Sequence, residues 1–347
     1  VNRKTIAVLP FSNLGRSQDD EYFCDGITED IRTRLGKIAA LRVISSTTMM
    51  QYKATKKTLR EIGMELHAGI VLEGSVRRAA DQVRITAQII DANTDEHIWA
   101  EEYDKEFKDI FAIQSAVAQD IALALQTKLS LDERKRVETR PTDNLEAYDQ
   151  YLMGRYFWNK RLPDKLKKGI EHFKQAIAKD PNYAIAYAGL ADSYTILGNL
   201  NILPPKQTYP EAKSAALKAL AMDSTLAEAH ASLGFAIMNY DWDWAAAEDG
   251  FKRAIEVNPN FATARSWYAF LLTVTGRFKE ATVVRNKALE LDPLSPVINA
   301  DIGLTLYFAR QYDAAIDQYN KTLEIDPTFI VANVPLGGGI RTEEDVQ

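Results

Sequence analysis

The chain has 347 residues, of which 46% are hydrophobic and 26% charged, with a formal net charge of −6 at pH 7 and an isoelectric point near 5.5. This composition is typical of a globular protein with two or three domains, and the acidic balance disfavours nucleic-acid binding as its main task. No run of about 18 apolar residues occurs, so the sequence predicts no membrane-spanning segment. The single cysteine, Cys24, excludes an internal disulfide and has no neighbouring cation, so we expect a buried, inert thiol.

The first part of the chain, about residues 1–130, alternates strand and helix patterns. The apolar run "TIAVLPF" predicts a strand that Pro10 ends, and "DGITEDIRTRLGKI" predicts a helix that Asp25 is able to cap. Residues 83–89 alternate apolar and polar side chains, as in a half-buried strand, and the long amphipathic run "DIFAIQSAVAQDIALALQTKL" closes the domain. The order β-α-β-α-β-β-β-α predicts an α+β domain with a mixed sheet and packed helices.

Residues 131–144 form the predicted linker. They are dense in charge, poor in apolar residues and broken by Pro141. We interpret them as a solvated extension of the preceding helix followed by a linker, rather than as a nucleic-acid patch. A continuous helix from Ile110 into Arg136 would instead join the two parts rigidly.

The second part, residues 145–347, shows a fixed period. Pro259, Pro293 and Pro327 stand 34 residues apart and close the similar phrases "AIEVNPN", "ALELDPL" and "TLEIDPT". The phrase "AIAKDPN" ends likewise at Pro181, and "ALAMDST" has Ser224 in the proline position. A fixed period of this length predicts an all-α repeat array, in which each unit borrows its neighbour's apolar face.

These units resemble tetratricopeptide repeats. That pattern has small residues where two helices approach closely, aromatic residues between adjacent pairs, and a proline after the second helix. The third unit matches at Leu233, Gly234, Ala247, Phe251, Ala254 and Pro259. About five repeats are predicted, plus a truncated sixth that starts at Phe329 and fails at the glycines of residues 337–339. The resemblance implies a helical solenoid that binds other proteins.

The first helix of each pair lines the binding groove of such arrays. By register, we predict a partner-binding groove of mostly apolar residues: Phe235, Met238, Asn239, Phe270, Thr273, Val274, Leu304, Tyr307 and Phe308. This groove is expected to take an apolar peptide or helix from a protein partner. Packing of the same side chains on a neighbouring domain, or in the array's own core, is the alternative.

The first part resembles the TolB-N-terminal-like domain of bacterial signalling proteins. The phrases "IAVLPFSNLG", "EYFCDGITEDI", "LRVISSTTM", "VLEGSVRR" and "VRITAQIIDANTDEHIWAEEYD" carry the resemblance, which covers nearly all of residues 4–128. In that family the domain commonly follows a class III adenylate or guanylate cyclase domain, a winged-helix DNA-binding domain or a kinase, and precedes tetratricopeptide repeats. The chain is most similar to the C-terminal regulatory half of the cyclase-type members. Since it begins with Val1, we expect a piece of a longer protein.

No catalytic constellation is recognisable. The four histidines are far apart, the acidic residues around Asp25 fit a helix start better than a metal site, and Arg77 and Arg78 fit a solvated hairpin edge. We therefore predict no catalytic, cofactor-binding or metal-binding residues and no nucleic-acid partner. The expected role is a non-catalytic regulatory region that binds a protein or peptide in the cytoplasm. Alternatives are the ligand-sensing half of a transmembrane winged-helix regulator, on the periplasmic side, or an assembly scaffold.

Overall fold

The computed structural model describes residues 2–15 and 20–329. Its first part contains six described strands, numbered in chain order: β1 (Asn2–Val8), β2 (Ser12–Asn13), β3 (Arg42–Val43), β4 (Ala68–Ala79), β5 (Gln82–Asp91) and β6 (His97–Glu106). The sheet order is β3-β1-β4-β5-β6, with β2 pairing β4 beside that path. β1 pairs in parallel with β3 and β4, whereas β4, β5 and β6 are antiparallel. The predicted mixed sheet is therefore confirmed.

Five helices accompany the sheet among the described residues: α1 (Glu21–Gly36), α2 (Ser46–Met50), α3 (Leu59–Glu65), α4 (Ile110–Ala124) and α5 (Leu131–Glu138). The alternation of β5 buries Val83 and Ile85, which join one hydrophobic core with Ile31 of α1 and Val117 of α4. The predicted cap at Asp25 was wrong. Helix α1 begins four residues earlier, at Glu21, and Asp25 lies inside it and accepts a hydrogen bond from Lys53 Nζ at 2.7 Å.

The rest of the described chain forms five helical hairpins. The pairs are α6 (Leu145–Asn159) with α7 (Pro163–Lys179), α8 (Ala184–Asn199) with α9 (Pro205–Met222), α10 (Ala227–Ala236) with α11 (Trp244–Val257), α12 (Ala262–Val274) with α13 (Phe278–Leu291), and α14 (Pro296–Phe308) with α15 (Tyr312–Ile325). The second helices α11, α13 and α15 each end two residues before the periodic prolines, as predicted. The predicted sixth unit beyond Phe329, with its three glycines, lies outside the described residues.

Close packing of small against aromatic residues holds the first hairpins together. A Cβ atom on Gly154 of α6 would lie 2.6 Å from the ring of Phe173, and one on Gly189 of α8 would lie equally close to the same ring. Phe173 is fully buried. One aromatic side chain therefore fills the space between a helix of its own pair and a helix of the next pair, which is why neither glycine position tolerates a side chain.

The chain divides into two compact units, Val1–Asn260 and Phe261–Gln347. The first unit contains the sheet and three helical hairpins, and the second contains the last two hairpins. This observed division falls within the repeats. The predicted domain boundaries, 1–130, 131–144 and 145–347, stay predictions.

The predicted linker contains a separate helix that is anchored at one buried residue. Helix α5 is separate from α4, because the Ser130 hydroxyl accepts from the Glu133 amide and Glu133 accepts in return from the Ser130 amide, which defines a new helix start. Val137 is fully buried, and its carbonyl accepts a hydrogen bond from the Arg34 guanidinium. The expected extension of the preceding helix was therefore wrong, because α5 is a separate helix. Most of its side chains are exposed, as expected of a solvated segment, whereas Val137 and its carbonyl pack against α1.

Candidate protein-interaction site

The predicted groove residues lie on the first helices of the third, fourth and fifth hairpins, except Met238 and Asn239, which lie in the π-helical turn Ile237–Asp241 that continues α10. In the third hairpin, Phe235 and Met238 are buried, and the ring of Phe235 lies 6.4 Å from that of Tyr209 in α9. Asn239 is half-buried, and its amide donates to the Phe235 carbonyl at 2.9 Å. In this hairpin Phe235 and Met238 are therefore core residues, which agrees with the alternative that these side chains pack in the array's own core. Because they are buried, a partner cannot reach them.

The second unit keeps an exposed apolar surface on its first helices. Val274, Tyr307 and Phe308 are 42%, 40% and 49% exposed, whereas Phe270 and Leu304 are half-buried. The Tyr307 ring lies 5.8 Å from that of Phe308 and 5.7 Å from that of Tyr312. We call Val274, Tyr307 and Phe308 the aromatic surface. It is the part of the predicted groove that a partner could reach in this unit.

Thr273 belongs to the interior of the second unit rather than to its surface. It is buried, and its hydroxyl bonds the Ala269 carbonyl at 2.8 Å and the Thr305 hydroxyl at 3.0 Å. Nearby in the same unit, the almost fully buried Arg285 donates to Asp301 at 2.8 Å. Burial raises the pKa of Asp301, although the charge of Arg285 opposes the shift. These internal polar contacts rigidify the helices that carry the aromatic surface.

In the first unit, the first helix of the first hairpin packs against the strands β1–β6 and helices α1–α5, which we call the sheet domain. The Tyr148 hydroxyl donates to Asp30 of α1 at 2.5 Å and accepts from Gln114 of α4 at 2.7 Å. Gln114 also donates to Asp30 at 3.0 Å. Burial raises the pKa of Asp30, against the hydrogen bond from Tyr148. This buried network fixes α6 on α1 and α4.

A second contact joins α6 to the sheet. Asp149 accepts hydrogen bonds from the Tyr22 hydroxyl and from Arg78 Nη1, each at 2.8 Å. The Arg78 guanidinium lies 4.8 Å from the ring centroid of Phe23 and 4.5 Å from that of Phe107. The expected solvated position for Arg78 was therefore wrong, because the α6 carboxylate and the two rings draw its side chain inward.

An ionic chain continues from α1 to the second and third hairpins. The Arg155 guanidinium nitrogens lie 3.8 Å from a carboxylate oxygen of Glu29 and 3.5 Å from one of Asp192. Asp192 also accepts a hydrogen bond from the buried Ser232 hydroxyl. Burial acts to raise the pKa of Glu29, but the charges of Arg32 and Arg155 outweigh it and hold the pKa at about 2. Burial raises the pKa of Asp192 to about 6, against the attraction of Arg155.

Sequence reasoning missed these positions, although a signal existed. Arg155 directly follows the small residue Gly154, as Phe235 follows Gly234 and Leu304 follows Gly303. If the same register had been applied to the first helices of the first two hairpins, it would have predicted Arg155 and Asp192 as groove positions. The longer loop between α8 and α9 hid the repeat there.

The turn after the third hairpin also binds the sheet domain. The Asn260 amide donates to the carbonyls of Gly36 at 2.9 Å and Leu41 at 3.0 Å, and its oxygen accepts from the Val43 amide at 2.9 Å. These three bonds satisfy backbone groups at the end of α1 and the start of β3. The corresponding turns of the next two repeats carry Leu294 and Thr328 instead, so Asn260 is specific to this turn.

Two further side chains near the sheet have structural roles. Ser45 caps α2 by accepting from the Thr47 amide at 3.2 Å. Cys24 is buried and donates to the Phe11 carbonyl at 3.0 Å, and burial raises the pKa of its thiol to about 12. Over residues 2–15 and 20–329, no cluster of three or more His, Cys, Asp or Glu side chains is arranged to hold a metal ion. No described helix has the length and apolar character needed to cross a bilayer.

Comparison with known families covers the sheet domain. Residues 2–120 match the family model of the HilA/YgeH-like transcriptional regulator, second domain. This family differs from the TolB-N-terminal-like family that the sequence phrases suggested, and the TolB resemblance stays a prediction. The match covers about a third of the chain and does not by itself assign the whole chain to a family.

Two curated relatives match about half of the chain. A protein named "Putative adenylate cyclase 3" from Rhizobium meliloti is 40% identical over 189 residues, which are 54% of this chain and 32% of that protein. Transcriptional regulator HilA from Salmonella typhimurium is 26% identical over 185 residues, 52% of this chain and 32% of HilA. The match thus spans about a third of the length of these relatives.

Solved structures similar to the chain include helical-repeat proteins. A thermophilic TPR protein of Thermus thermophilus is 17% identical, with a TM-score of 0.47 over 55% of this chain and 97% of that one. PilW, a type IV pilus biogenesis factor, is 16% identical, with a TM-score of 0.44 over 54% of this chain and 80% of that one. Because both TM-scores are below 0.5, we assign the repeats from the five hairpins themselves.

Proposed function

We propose that this chain is a non-catalytic regulatory region of a bacterial signalling protein. In that protein it follows an adenylate or guanylate cyclase domain, and it binds a protein partner through the aromatic surface. The observation that carries the proposal is the exposure of Tyr307 and Phe308 on the first helix of the fifth hairpin. Aromatic side chains exposed together on a rigid helix are typical anchors of protein interfaces. The 40% identity to the cyclase-named relative supports the signalling context.

A photocrosslinking experiment tests the partner site. A photoreactive phenylalanine analogue replaces Tyr307 in the parent protein in cells, and crosslinked species are identified by mass spectrometry. A specific partner should be captured, and the additional change Phe308→Asp should abolish the capture. The matched control places the analogue at Val283, which is 59% exposed on the second helix α13. Equal capture from both positions would contradict the proposal.

A second experiment tests the proposal that the chain is non-catalytic. The purified chain should convert neither ATP nor GTP in the presence of Mg²⁺ or Mn²⁺, because no catalytic constellation is recognisable in the sequence. Steady turnover that scales with protein concentration would overturn this part of the proposal.

The second candidate function is the ligand-sensing half of a winged-helix transcription regulator. The family match over residues 2–120 and the 26% identity to HilA favour it. The coding sequence upstream of Val1 distinguishes the candidates: a cyclase core supports the first, in the cytoplasm, and a winged helix with a membrane span supports the second. An assembly scaffold, the third possibility, would instead show self-association by light scattering.

A further inference from the structure

The first hairpin carries a concentration of positive charge in an acidic chain. Residues 159–174, which connect α6 to α7 and continue along α7, contain six Lys and Arg against two Asp and Glu, whereas the whole chain has a net charge of −6. We call this segment the cationic hairpin. Its six cations are Lys160, Arg161, Lys165, Lys167, Lys168 and Lys174. All except the half-buried Lys165 are exposed.

Five of the six cations, all except Lys167, contact aromatic rings. Lys160 Nζ lies 4.6 Å from the ring centroid of Tyr156, and the Arg161 guanidinium lies 3.5 Å from that of Trp158. Lys165 and Lys168 each lie 5.8 Å from the centroid of Phe157.

Within the described part of the chain, none of the six cations forms an ion pair with a carboxylate. Other array lysines are paired, such as Lys179 with Glu146 and Lys213 with Asp241. The contacted rings therefore help to hold the cations near fixed positions. Their charges are only partly balanced, by the longer-range attraction between Lys160 and Asp25 and between Arg161 and Asp192. Such a surface attracts an anion and costs little reorganisation when one binds.

We propose that the cationic hairpin binds a short acidic segment of a protein. Lys165 and Lys168 are three residues apart on α7, so they share one side of the helix, and both contact Phe157. The Phe157 ring lies 5.5 Å from that of Tyr156, which Lys160 contacts. Lys160, Lys165 and Lys168 therefore form one patch, which a few residues of an extended peptide cover. The surface is thus matched to a few consecutive Asp or Glu side chains, which the exposed ammonium groups would contact as charge-assisted hydrogen bonds.

The same observations disfavour larger polyanions. Stacking of nucleic-acid bases needs open ring faces, but Tyr156, Phe157 and Trp158 are half-buried and contacted by cations. Outside the cationic hairpin the chain is strongly acidic, so a long nucleic acid or an anionic membrane that extends past this segment meets repulsion. A short acidic peptide avoids both costs.

Fluorescence anisotropy with a labelled peptide of seven Glu and Asp residues tests the proposal. The variant Lys160→Gln/Lys165→Gln/Lys168→Gln should weaken binding about tenfold at roughly 50 mM salt, and rising salt should weaken the unchanged protein's binding too. The matched control Lys279→Gln/Lys287→Gln/Lys321→Gln makes the same charge change at exposed lysines of the second unit and should change affinity less than about twofold. Circular dichroism melts should show both variants folded, because none of the replaced lysines in the hairpin is ion-paired.

Three results would overturn the proposal. Equal weakening by the two triple variants would indicate net charge alone. Absence of peptide binding by the unchanged protein would remove the site. Tighter binding of a single-stranded oligonucleotide or of phosphatidylserine vesicles, lost in the same hairpin variant, would assign the surface to another class of partner. The change Tyr307→Asp/Phe308→Asp should leave peptide affinity unchanged, so this test is independent of the aromatic surface.

Discussion

The hairpins of the first and second units share one packing pattern but use their first helices differently. In the first unit, Tyr148 and Arg155 contact the sheet domain, and Phe235 packs on its neighbouring helix. In the second unit, Tyr307 and Phe308 stay exposed. The same repeat therefore serves as an internal support in one unit and as an open surface in the other. What differs is whether a neighbouring element covers the first-helix positions, as it does at Tyr148 and Phe235 but not at Tyr307 and Phe308.

The largest expected effect tests whether the two units unfold independently of each other. Phe173 of the first unit and Tyr319 of the second are buried at corresponding repeat positions. Phe173→Ala should lower the free energy of unfolding of the first unit by about 3–5 kcal/mol, because it leaves a cavity beside Gly154 and Gly189. Native-state hydrogen exchange of β4 should report this loss. Tyr319→Ala should leave β4 protection unchanged, and an equal loss would show one cooperative body instead of two.

A smaller effect is expected at the turn that binds the sheet domain. Asn260→Ala removes three hydrogen bonds to backbone groups of Gly36, Leu41 and Val43, and should cost about 2–3 kcal/mol in urea unfolding. The control Thr328→Ala changes the same turn position of the fifth repeat. Among residues 2–15 and 20–329, its hydroxyl bonds only Asp326 of its own turn, at 2.7 Å. Its expected cost is below about 0.5 kcal/mol. Similar costs for both would mean that Asn260 stabilises only its local turn.

The smallest effect is a pH dependence of the first unit. Burial raises the pKa of Asp192 to about 6, above its ordinary value, so the folded state binds more protons than the unfolded state between about pH 4 and 6. Stability contributed by this group is therefore greatest at low pH and falls by about 1 kcal/mol between pH 5 and 7. Asp192→Asn should remove that slope in chemical unfolding measured across this range. Asp143→Asn, at an exposed carboxylate, should keep the slope.

Periodicity predicted much of the fold. The prolines at 34-residue spacing marked the ends of α11, α13 and α15, and the alternation in β5 predicted its buried face. Such patterns are local, so a single sequence reveals them.

The docking of the sheet domain was not predictable in this way. Asp30 and Tyr148 are 118 residues apart, and Asn260 reaches Val43 across 217 residues. Polar pairs over such distances leave no periodic signal.

The partner-binding role of the predicted groove stays a prediction. Its register selected Tyr307 and Phe308, which are exposed, together with Phe235 and Met238, which are buried. Register alone does not distinguish these pairs, because it does not show which neighbour covers a helix face.

The buried Cys24 gives the first unit a built-in reporter of its own opening. Its thiol is the only one in the chain, donates to Phe11 inside the core and resists ionisation. A thiolate-selective alkylating reagent should therefore modify native protein only during transient opening of α1. The rate of modification at increasing reagent concentration then measures both how often that helix opens and how quickly it closes, without any introduced label.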